Sequence, residues 1–344
     1  MFARITLFLL LGCVSAWAQQ PGATPSMVYE VADAGAVKQY RTNPALVRAM
    51  VDRLVLAVTG QADLAKAWGS LVAPNDRVGI KISAAGGELF TTHRDVVNAI
   101  VEGLVAAGHS RGSIIVWDRS LAGASGAGYD GRAEGYQLRA IPPRDGYDAK
   151  AVFSAPILGN LVWGDLEYKA GRTMPLLSDT ENTSSESHFC RIVSSEVTKI
   201  INVPVLSDSA TNGIAGCLYN VTIPNVDNWR RFAQTTGFAA SGIPEIYMQP
   251  QIANKVVLNI MDALVAEYAG GPASQPNYAV HFERLFASKD PVALDTVALR
   301  QLEQWRVRAD LPPIHELATH VKVAGDLGLG NADPARIVVK KLAR

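Results

Sequence analysis

The sequence predicts an α/β protein in which helices flank a layered, mostly parallel sheet. Residues 76–118 have the pattern of a strand, a helix and a second strand, a unit whose strands run parallel with a right-handed crossover. Apolar strand-like runs and amphipathic helical segments alternate along most of the remaining chain. Hydrophobic residues make up 48% of the sequence, which is enough for a large core.

The N-terminus predicts export. Arg4 precedes an apolar run, residues 5–14, that is too short to span a bilayer, and residues 16–18 (AWA) match a signal-peptidase site. We expect residues 1–18 to be a signal peptide and the mature protein to be periplasmic or secreted. A lipoprotein route stays open, because the LLGC sequence ending at Cys13 loosely matches a lipidation box. The rest of the chain has no apolar run of about 18 residues and predicts no transmembrane anchor.

The mature chain is predicted to be one α/β domain preceded by an arm. Residues 19–40 are polar and rich in Gly, Ala and Pro, so we expect them to be flexible. The domain covers residues 41–344 and divides into two intimately packed halves, at about 41–150 and 195–344. A loop-rich insert with weak periodicity separates the halves.

Helix signals in the first half are local and specific. Asn43 followed by Pro44 is typical of an N-cap and the first residue of a helix. Thr92 is the expected cap of a second helix, which Gly108 ends. The strands predicted in this half are residues 78–82, 113–118 and 137–141.

The second half repeats these signals. Asp290 and Pro291 again predict an N-cap and a helix start, and a last helix is expected at residues 314–324. Residues 256–264 are apolar enough for either a strand or a buried helix, and the pattern does not decide between them. The other strands are predicted at residues 198–206, 278–287 and 337–342.

Composition excludes several classes of function. The formal net charge is zero and no basic stretch is present, which argues against nucleic acid or an acidic membrane surface as a partner. Without the signal peptide, Cys190 and Cys217 are the remaining cysteines, too few for a four-cysteine iron–sulfur cluster or Cys₄ zinc site. Whether they form a disulfide in an oxidising compartment stays open, because the sequence does not fix their separation.

Four segments, in order, resemble the DUF362 family. VGIKIS with its Gly-rich loop, TTHRDVVNAIVEGLVAAGHS and SIIVWD look like the N-terminal half of these proteins. KIINVPVLSDSATNGIAGCLYN looks like their central segment, FASKDPVALDTVAL like their C-terminal signature and GDLGLGNADPARIVV like their closing segment. The resemblance covers most of residues 76–340, and the family name records that its biochemical function is not established.

Two departures from the family pattern affect what the resemblance implies. Relatives usually have His where this chain has Ser209, and a Lys-Asn pair where it has Tyr219 and Asn220. Chemistry that depends on that His and Lys is therefore expected to be lost or changed. The ferredoxin-like cysteines of many relatives are also missing, so an electron-transfer role is not inherited and no iron–sulfur cluster is expected.

Polar residues at strand ends predict a ligand site, because ligands of open α/β sheets bind beyond the carboxyl ends of the strands. Lys81 is a candidate ligand for a carboxylate or phosphate, and Gly86 and Gly87 could offer backbone N–H groups to the same anion. His93 starts the next helix and is expected in the same pocket, as is Asp118 at the end of the next strand. The alternatives are a lysine reaching solvent, a plain turn, a solvated histidine and a turn-capping aspartate.

Further candidates lie in the central segment and in the helix after Pro291. The polar residues of the central segment are Asn202, Asp208, Asn212 and Asn220. They are expected to line a polar pocket, with turn stabilisation as the alternative. Asp295 lies among apolar helix residues and needs a partner, which we expect to be Lys81 or an asparagine of the central segment.

One weak metal pattern is present. His188 and Cys190 offer an imidazole and a thiolate, which suit zinc, copper or nickel. A site would need further ligands, such as Asp208 or Cys217. Three hypotheses follow: a protein that binds a small anionic or metal-containing ligand at the strand ends, with catalysis left open; a non-catalytic binding or interaction protein; and a metalloprotein built on His188 and Cys190.

Overall fold

The structure, a computed structural model, describes residues 24–130, 134–143, 145–160, 183–233, 237–271 and 273–343. The strands in those ranges are β1 (Ser26–Ala32), β2 (Val37–Lys38), β3 (Arg41–Thr42), β4 (Val78–Ile82), β5 (Ile115–Asp118), β6 (Gln137–Ala140), β7 (Tyr147–Asn160), β8 (Thr183–Cys190), β9 (Lys199–Val203), β10 (Val205–Ser209), β11 (Gly213–Ile214), β12 (Val256–Glu267), β13 (Ala279–Ser288) and β14 (Ile337–Lys341). The helices are α1 (Pro44–Thr59), α2 (Leu64–Leu71), α3 (Arg94–Ala106), α4 (Cys217–Thr222), α5 (Arg230–Ala233), α6 (Ala239–Tyr247), α7 (Pro250–Ala253), α8 (Pro291–Arg308) and α9 (Thr319–Asp326).

A ten-stranded sheet forms the centre of the protein. Its main path runs β14-β1-β13-β12-β9-β4-β5-β6, with β10 joined to β12 and β11 to β10. The parallel pairs are β1–β14, β9–β12, β4–β9, β4–β5, β5–β6 and β10–β12. Strand β13 is antiparallel to both neighbours. This confirms the predicted α/β class with a mostly parallel sheet flanked by helices.

Neighbouring residues along a strand pack into different apolar clusters, because side chains alternate between the two faces of a sheet. On β13, Leu285 belongs to one cluster and Phe286 to the other. Strand β4, from the first predicted half, pairs with β9, from the second, so that Lys81 lies opposite Asn202. The two halves therefore share one sheet, and their polar strand ends are neighbours.

The expectation of a flexible arm at residues 19–40 is wrong from Ser26 onward. Strand β1 pairs with β13 on one side and β14 on the other, and Val28 and Val31 are fully buried. The surrounding Gly, Ala and Pro residues hide this short strand, because its partners lie more than 250 residues away in sequence. Residues 19–23 lie outside the described ranges.

Two strand assignments needed the tertiary structure. Residues 256–264 belong to β12, which lies between β13 and β9. Consecutive residues of β12 from Leu258 onward are buried, so both of its faces are covered, the condition that produces a continuous apolar run. The single strand predicted at residues 198–206 divides into β9 and β10 at Pro204. Proline has no N–H for the ladder, and the chain changes partners there.

The predicted N-caps are confirmed at two of three helices. Asn43 accepts hydrogen bonds from the N–H groups of Ala45 and Leu46, and Asp290 accepts one from Ala293. Thr92 does not cap α3, whose N-cap is His93. The Thr92 side chain instead accepts from the Ser83 N–H at 2.9 Å and donates to the Val203 carbonyl at 2.8 Å, which ties the start of α3 to the ends of β4 and β9.

Two further segments differ from expectation. The loop-rich insert contains the antiparallel ribbon β7–β8, and the buried Arg231 guanidinium holds it by donating to the carbonyls of Ala155 and Ser185. The last helix, predicted at residues 314–324, is α9, which begins at Thr319 and ends at Asp326. In the turn before it, the Glu303 carboxylate accepts from the N–H groups of Ile314 and His315. None of the described helices combines the length and hydropathy of a membrane span.

Candidate functional site

A buried ion pair joins the ends of β4 and β5. Lys81 is fully buried, and its Nζ donates to Asp118 Oδ1 at 2.6 Å, to the Ile82 carbonyl at 2.7 Å and to Asn220 Oδ1 at 3.3 Å. Burial lowers the pKa of the Lys81 ammonium, and the Asp118 carboxylate opposes that shift. The three donor positions of the ammonium are thus occupied, so Lys81 does not reach a ligand directly as the sequence suggested.

Asp118 is the centre of this network. Its Oδ1 also accepts from the Arg119 N–H at 2.7 Å, and its Oδ2 accepts from the Ala84 N–H at 2.7 Å. The carboxylate therefore fixes the two turns that follow β4 and β5. An ion pair held in this way positions backbone around a site.

A chain of amides continues the network across the sheet. Asn220 Nδ2 donates to Asn202 Oδ1 at 2.8 Å, and Asn202 Nδ2 donates to Asn259 Oδ1 and to the Cys217 carbonyl, both at 2.9 Å. Two of the four polar residues predicted for the central segment, Asn202 and Asn220, thus belong to this network, and Asn220 contacts Lys81. Asn259 was not among the predicted site residues, although an asparagine inside an apolar strand is a signal for a buried hydrogen-bond partner.

A pocket of about 480 Å³ opens directly above this network, at the carboxyl ends of β4, β5 and β10. Its lining residues are Ser83, Ala85, Asp118, Arg119, Ser120, Ser209, Ala210, Thr211, Ala215, Tyr219, Asn220, Ile223, Pro224 and Trp229. The position is the one that open α/β sheets use for ligands. Small, apolar and hydroxyl-bearing side chains form most of the wall.

Arg119 supplies the positive charge of this strand-end pocket. Its guanidinium lies over the Trp229 ring, 4.4 Å from the centroid, and donates to the Val226 carbonyl at 2.9 Å and to the Ile223 carbonyl. Neither Arg119 nor Trp229 was among the site residues predicted from the sequence. The ring comes from an irregular segment that follows α4, and only the fold brings it to the end of β5.

The two central-segment positions at which this chain departs from the family pattern line this pocket. Ser209 and Tyr219 border it at the positions where relatives usually have His and Lys. Burial raises the pKa of the Tyr219 phenol, which keeps the group neutral. The wall therefore has neutral hydroxyls where the resemblance implies two basic groups.

Gly86 and Gly87 do not line the strand-end pocket in the described structure. Gly86 forms an isolated bridge with Phe90, and a Cβ at Gly86 would lie 2.6 Å from the Phe90 carbonyl oxygen. Gly87 has a φ of +66°, which favours glycine. The two glycines thus serve a tight βα turn, the alternative to the predicted anion contact.

Two polar residues predicted in the central segment lie away from the strand-end pocket. Asp208 accepts from the N–H groups of Gly270 and Gly271, at 3.1 and 2.8 Å. Asn212 is buried, and neither of its side-chain polar atoms has a hydrogen-bond partner among the described residues. Neither residue lines the pocket.

Asp295 has a partner other than those expected. Its carboxylate accepts from the Cys217 N–H at 2.6 Å and from the Leu218 N–H at 2.9 Å, so it satisfies the first turn of α4. Burial raises the pKa of Asp295 to about 7, and the two N–H groups oppose this. The predicted contact with Lys81 or an asparagine is wrong, because α8 approaches the backbone of α4 rather than the amide chain.

His93 does not join the strand-end pocket either. Its imidazole contacts Asp262, with Nδ1 2.8 Å from Oδ2, and borders a different cavity beside the hairpin of β2 and β3. The sequence predicted that His93 shares a pocket with Lys81, because Lys81 precedes and His93 follows the same loop. The helix start turns the ring toward β12 instead.

The described residues give the metal hypothesis no ligand set. His188 Nδ1 lies 3.0 Å from Asp227 Oδ2, and the Cys190 thiol contacts Asn225 Oδ1 at 3.5 Å. Burial raises the pKa of Cys190 to about 11, which favours the thiol over the metal-binding thiolate. Across the described ranges, no three His, Cys, Asp or Glu side chains are placed to share an ion, and Cys190 and Cys217 are both free thiols.

Comparison with known proteins gave two findings. The sequence profile of a family described as Domain of unknown function (DUF362) matches residues 78–300. A solved structure of a protein from Thermotoga maritima is similar, with 11% identity and a TM-score of 0.38, covering 80% of this chain and 61% of that one. The chain thus spans less than two thirds of that protein's length. A search of curated proteins found no match.

Proposed function

We propose that this chain, which belongs to the DUF362 family, is an exported protein that binds a small, partly apolar anion in the strand-end pocket. The observation that carries the proposal is the Arg119 guanidinium stacked on Trp229 in the wall of that pocket. Export rests on the signal-peptide pattern of residues 1–18, which lie outside the described ranges.

The guanidinium in the wall is the group that supports an anionic ligand. Lys81 and Asp118 form an ion pair with one another, and Arg119 lines the pocket beside them. A guanidinium can donate two parallel hydrogen bonds to a carboxylate or to a phosphate. An anionic head group at Arg119 is therefore the arrangement that we propose.

The rest of the wall favours an apolar body on the ligand. Ala85, Ala210, Ala215, Ile223 and Pro224 present hydrocarbon to the cavity. Serine and threonine hydroxyls offer the few neutral hydrogen bonds that fix orientation in such pockets. Benzoate, short alkanoates and phenyl phosphate have this combination of an anionic group and a hydrocarbon body.

Binding without catalysis fits the pocket better than an enzyme does. The carboxylate that lines it already accepts from Lys81 and from two backbone N–H groups, and burial raises the pKa of the Tyr219 phenol. None of the other described lining residues contributes an imidazole, thiol or amine. A general acid or base needs a titratable group within reach of the substrate. This supports the non-catalytic alternative among the sequence hypotheses.

The test is isothermal titration calorimetry with benzoate, butanoate and phenyl phosphate, on the unaltered protein and on Arg119→Gln. We expect at least one probe to bind and Arg119→Gln to weaken it by roughly tenfold to a hundredfold, the loss typical of one charge-assisted hydrogen-bond pair. Arg230→Gln is the matched control, because Arg230 also contacts the Trp229 ring, 5.3 Å from its centroid, but does not line the pocket. Equal losses in both variants, or no binding of any probe, would contradict the proposal.

A further inference from the structure

A second cavity, of about 310 Å³, opens beside the N-terminus of α3 and shares no lining residue with the strand-end pocket. The hairpin of β2 and β3 forms one wall, and the loop at residues 126–128 forms another. His93, the first residue before α3, borders the cavity. This His93 cavity has no role in the anion site proposed above.

A buried carboxylate orients the imidazole of His93. Asp262 is fully buried, and its Oδ2 lies 2.8 Å from His93 Nδ1 and accepts the His93 backbone N–H at 2.7 Å. Its Oδ1 accepts the Leu264 N–H at 3.1 Å. Because the carboxylate accepts, Nδ1 carries a proton, and Nε2 of the neutral ring becomes an acceptor. Nε2 has no hydrogen-bond partner among the described residues.

The backbone around the cavity departs from regular geometry in two places. Gln39 and Tyr40 join β2 to β3 with φ values of 50° and 60°, a conformation that usually requires glycine or asparagine. On β12, a register shift between Ala263 and Val265 directly follows Asp262. Strained turns and bulges concentrate at binding sites, where they set the direction of a side chain.

The charges that line the cavity balance. Arg41 and Arg94 are cationic, Glu88 and Asp95 are anionic, and the wall therefore favours neither a cation nor an anion. Tyr40 lies at the rim, where its ring contacts the His281 ring at 4.2 Å between centroids. The residue is 46% exposed, and the exposed part of the ring offers an apolar surface. Planar donors and acceptors beside an aromatic ring suit a molecule with many hydroxyl groups, each of which can donate and accept.

We propose that the His93 cavity is a second ligand site, which takes a small neutral polyhydroxylated molecule of the monosaccharide or cyclitol class. His93 Nε2 accepts a hydrogen bond from one ligand hydroxyl. Carboxylate and guanidinium groups of the wall bind the others, and the Tyr40 ring packs against a face of the ligand. This site is independent of the anion site at Arg119.

Binding should strengthen as pH rises. The Asp262 carboxylate of β12 and the Asp95 carboxylate of α3 act on the charge of His93, and Arg94, Arg41 and Glu88 line the same cavity. Burial lowers the pKa of His93, but Asp262 and Asp95 together outweigh it, so the net shift is upward. Protonation removes the Nε2 acceptor, so affinity falls as pH drops through the raised pKa of His93.

Ligand-observed NMR with glucose and myo-inositol, at several pH values, tests this site. We expect saturation transfer from the protein to at least one probe, an increase in affinity with pH, and roughly a tenfold loss in His93→Gln, which keeps a donor for Asp262. His188→Gln is the matched control, because His188 makes the same type of contact with Asp227 but lines neither the His93 cavity nor the strand-end pocket.

Two results would overturn the inference. One is that neither probe binds. The other is that His93→Gln and His188→Gln change binding equally. Arg119→Gln should leave binding of the neutral probes unchanged, which separates this site from the anion site. The ring-proton shift of His93 in the unaltered protein gives a readout that does not depend on any variant: it should move on addition of the probe.

Discussion

Lys81 Nζ lies 2.6 Å from Asp118 Oδ1, and this buried contact links two neighbouring parallel strands at the edge where the strand-end pocket opens. Lys81 and Asp118 are neighbours because β4 pairs with β5 in parallel. Lys81 lies opposite Trp117, the residue before Asp118. Asp118 lines the pocket, whereas Lys81 lies beneath it and does not. The pair holds the two turns that contain Ala84 and Arg119.

Removal of the lysine should be strongly destabilising. Lys81→Met leaves the Asp118 carboxylate buried without its ammonium, and breaking a buried pair in this way costs about 3–5 kcal/mol. Urea denaturation of the purified variant measures the loss. The double variant Lys81→Met/Asp118→Leu is the control and should recover part of it, since no uncompensated charge remains. A single variant as stable as the unaltered protein would show that the pair is not needed for the fold.

The amide chain should also depend on Asn259. Asn259→Leu removes the acceptor for Asn202 Nδ2, which retains its bond to the Cys217 carbonyl. We expect a loss of about 1–3 kcal/mol in the free energy of unfolding, typical of a buried polar group that loses a partner. Leu258→Ile, at a neighbouring buried position on the same strand, controls for a conservative change in packing. Equal effects of the two substitutions would argue against a network.

The first strand should be essential. A chain that begins at residue 33 lacks β1, which exposes the edges of β13 and β14 and removes the buried Val28 and Val31. We expect aggregation or a large drop in thermal midpoint, measured by circular dichroism. A chain that begins at residue 24 keeps β1 and is the control. Equal stability of the two truncated chains would contradict the role assigned to β1.

His320 should make the protein sensitive to acid. The side chain is fully buried, neither ring nitrogen has a hydrogen-bond partner among the described residues, and burial lowers its pKa from 6.5 to about 4. The unfolded chain therefore binds a proton that the folded chain does not, between those pH values. Stability from this group is complete above pH 6.5 and falls as pH drops to about 4, by on the order of 3 kcal/mol.

The comparison of His320→Leu with the unaltered protein isolates that effect, through urea denaturation at pH 7 and pH 4.5. The substitution should reduce the loss of stability between the two pH values. His315→Leu is the control, because that side chain is 60% exposed and contacts Glu303 at the surface. If His320→Leu leaves the pH dependence unchanged, burial of the neutral imidazole is not the cause.

Local chemistry was enough to predict much of the framework. The N-caps at Asn43 and Asp290 depend on N–H groups two or three residues away, so the sequence contains both partners within one turn. The apolar runs of β4 and β9 are also contained within one short segment each, and such runs predict buried parallel strands. The sequence predicted a site at the strand ends, because the carboxyl ends of parallel strands meet at one edge of a sheet. Of the residues predicted there, Lys81, Asp118 and Asn202 belong to one network, whereas His93, Asp208 and Asn212 lie elsewhere.

Partners far apart in sequence could only come from the tertiary structure. Ser26–Ala32 becomes a strand because residues 279–288 and 337–341 lie on either side of it. The sequence placed a lysine at the strand end, but only the fold shows that Asp118, Asn220 and a carbonyl saturate it.

The fold also decided which of the predicted site residues lie in the strand-end pocket and which lie elsewhere. His93 and Lys81 lie twelve positions apart in the sequence, yet His93 turns to Asp262 on β12 and borders its own cavity. Trp229 reaches Arg119 across more than one hundred residues. Sequence patterns report the local conformation and burial of a segment, whereas the direction of a polar side chain depends on which distant donor or acceptor compensates its loss of water.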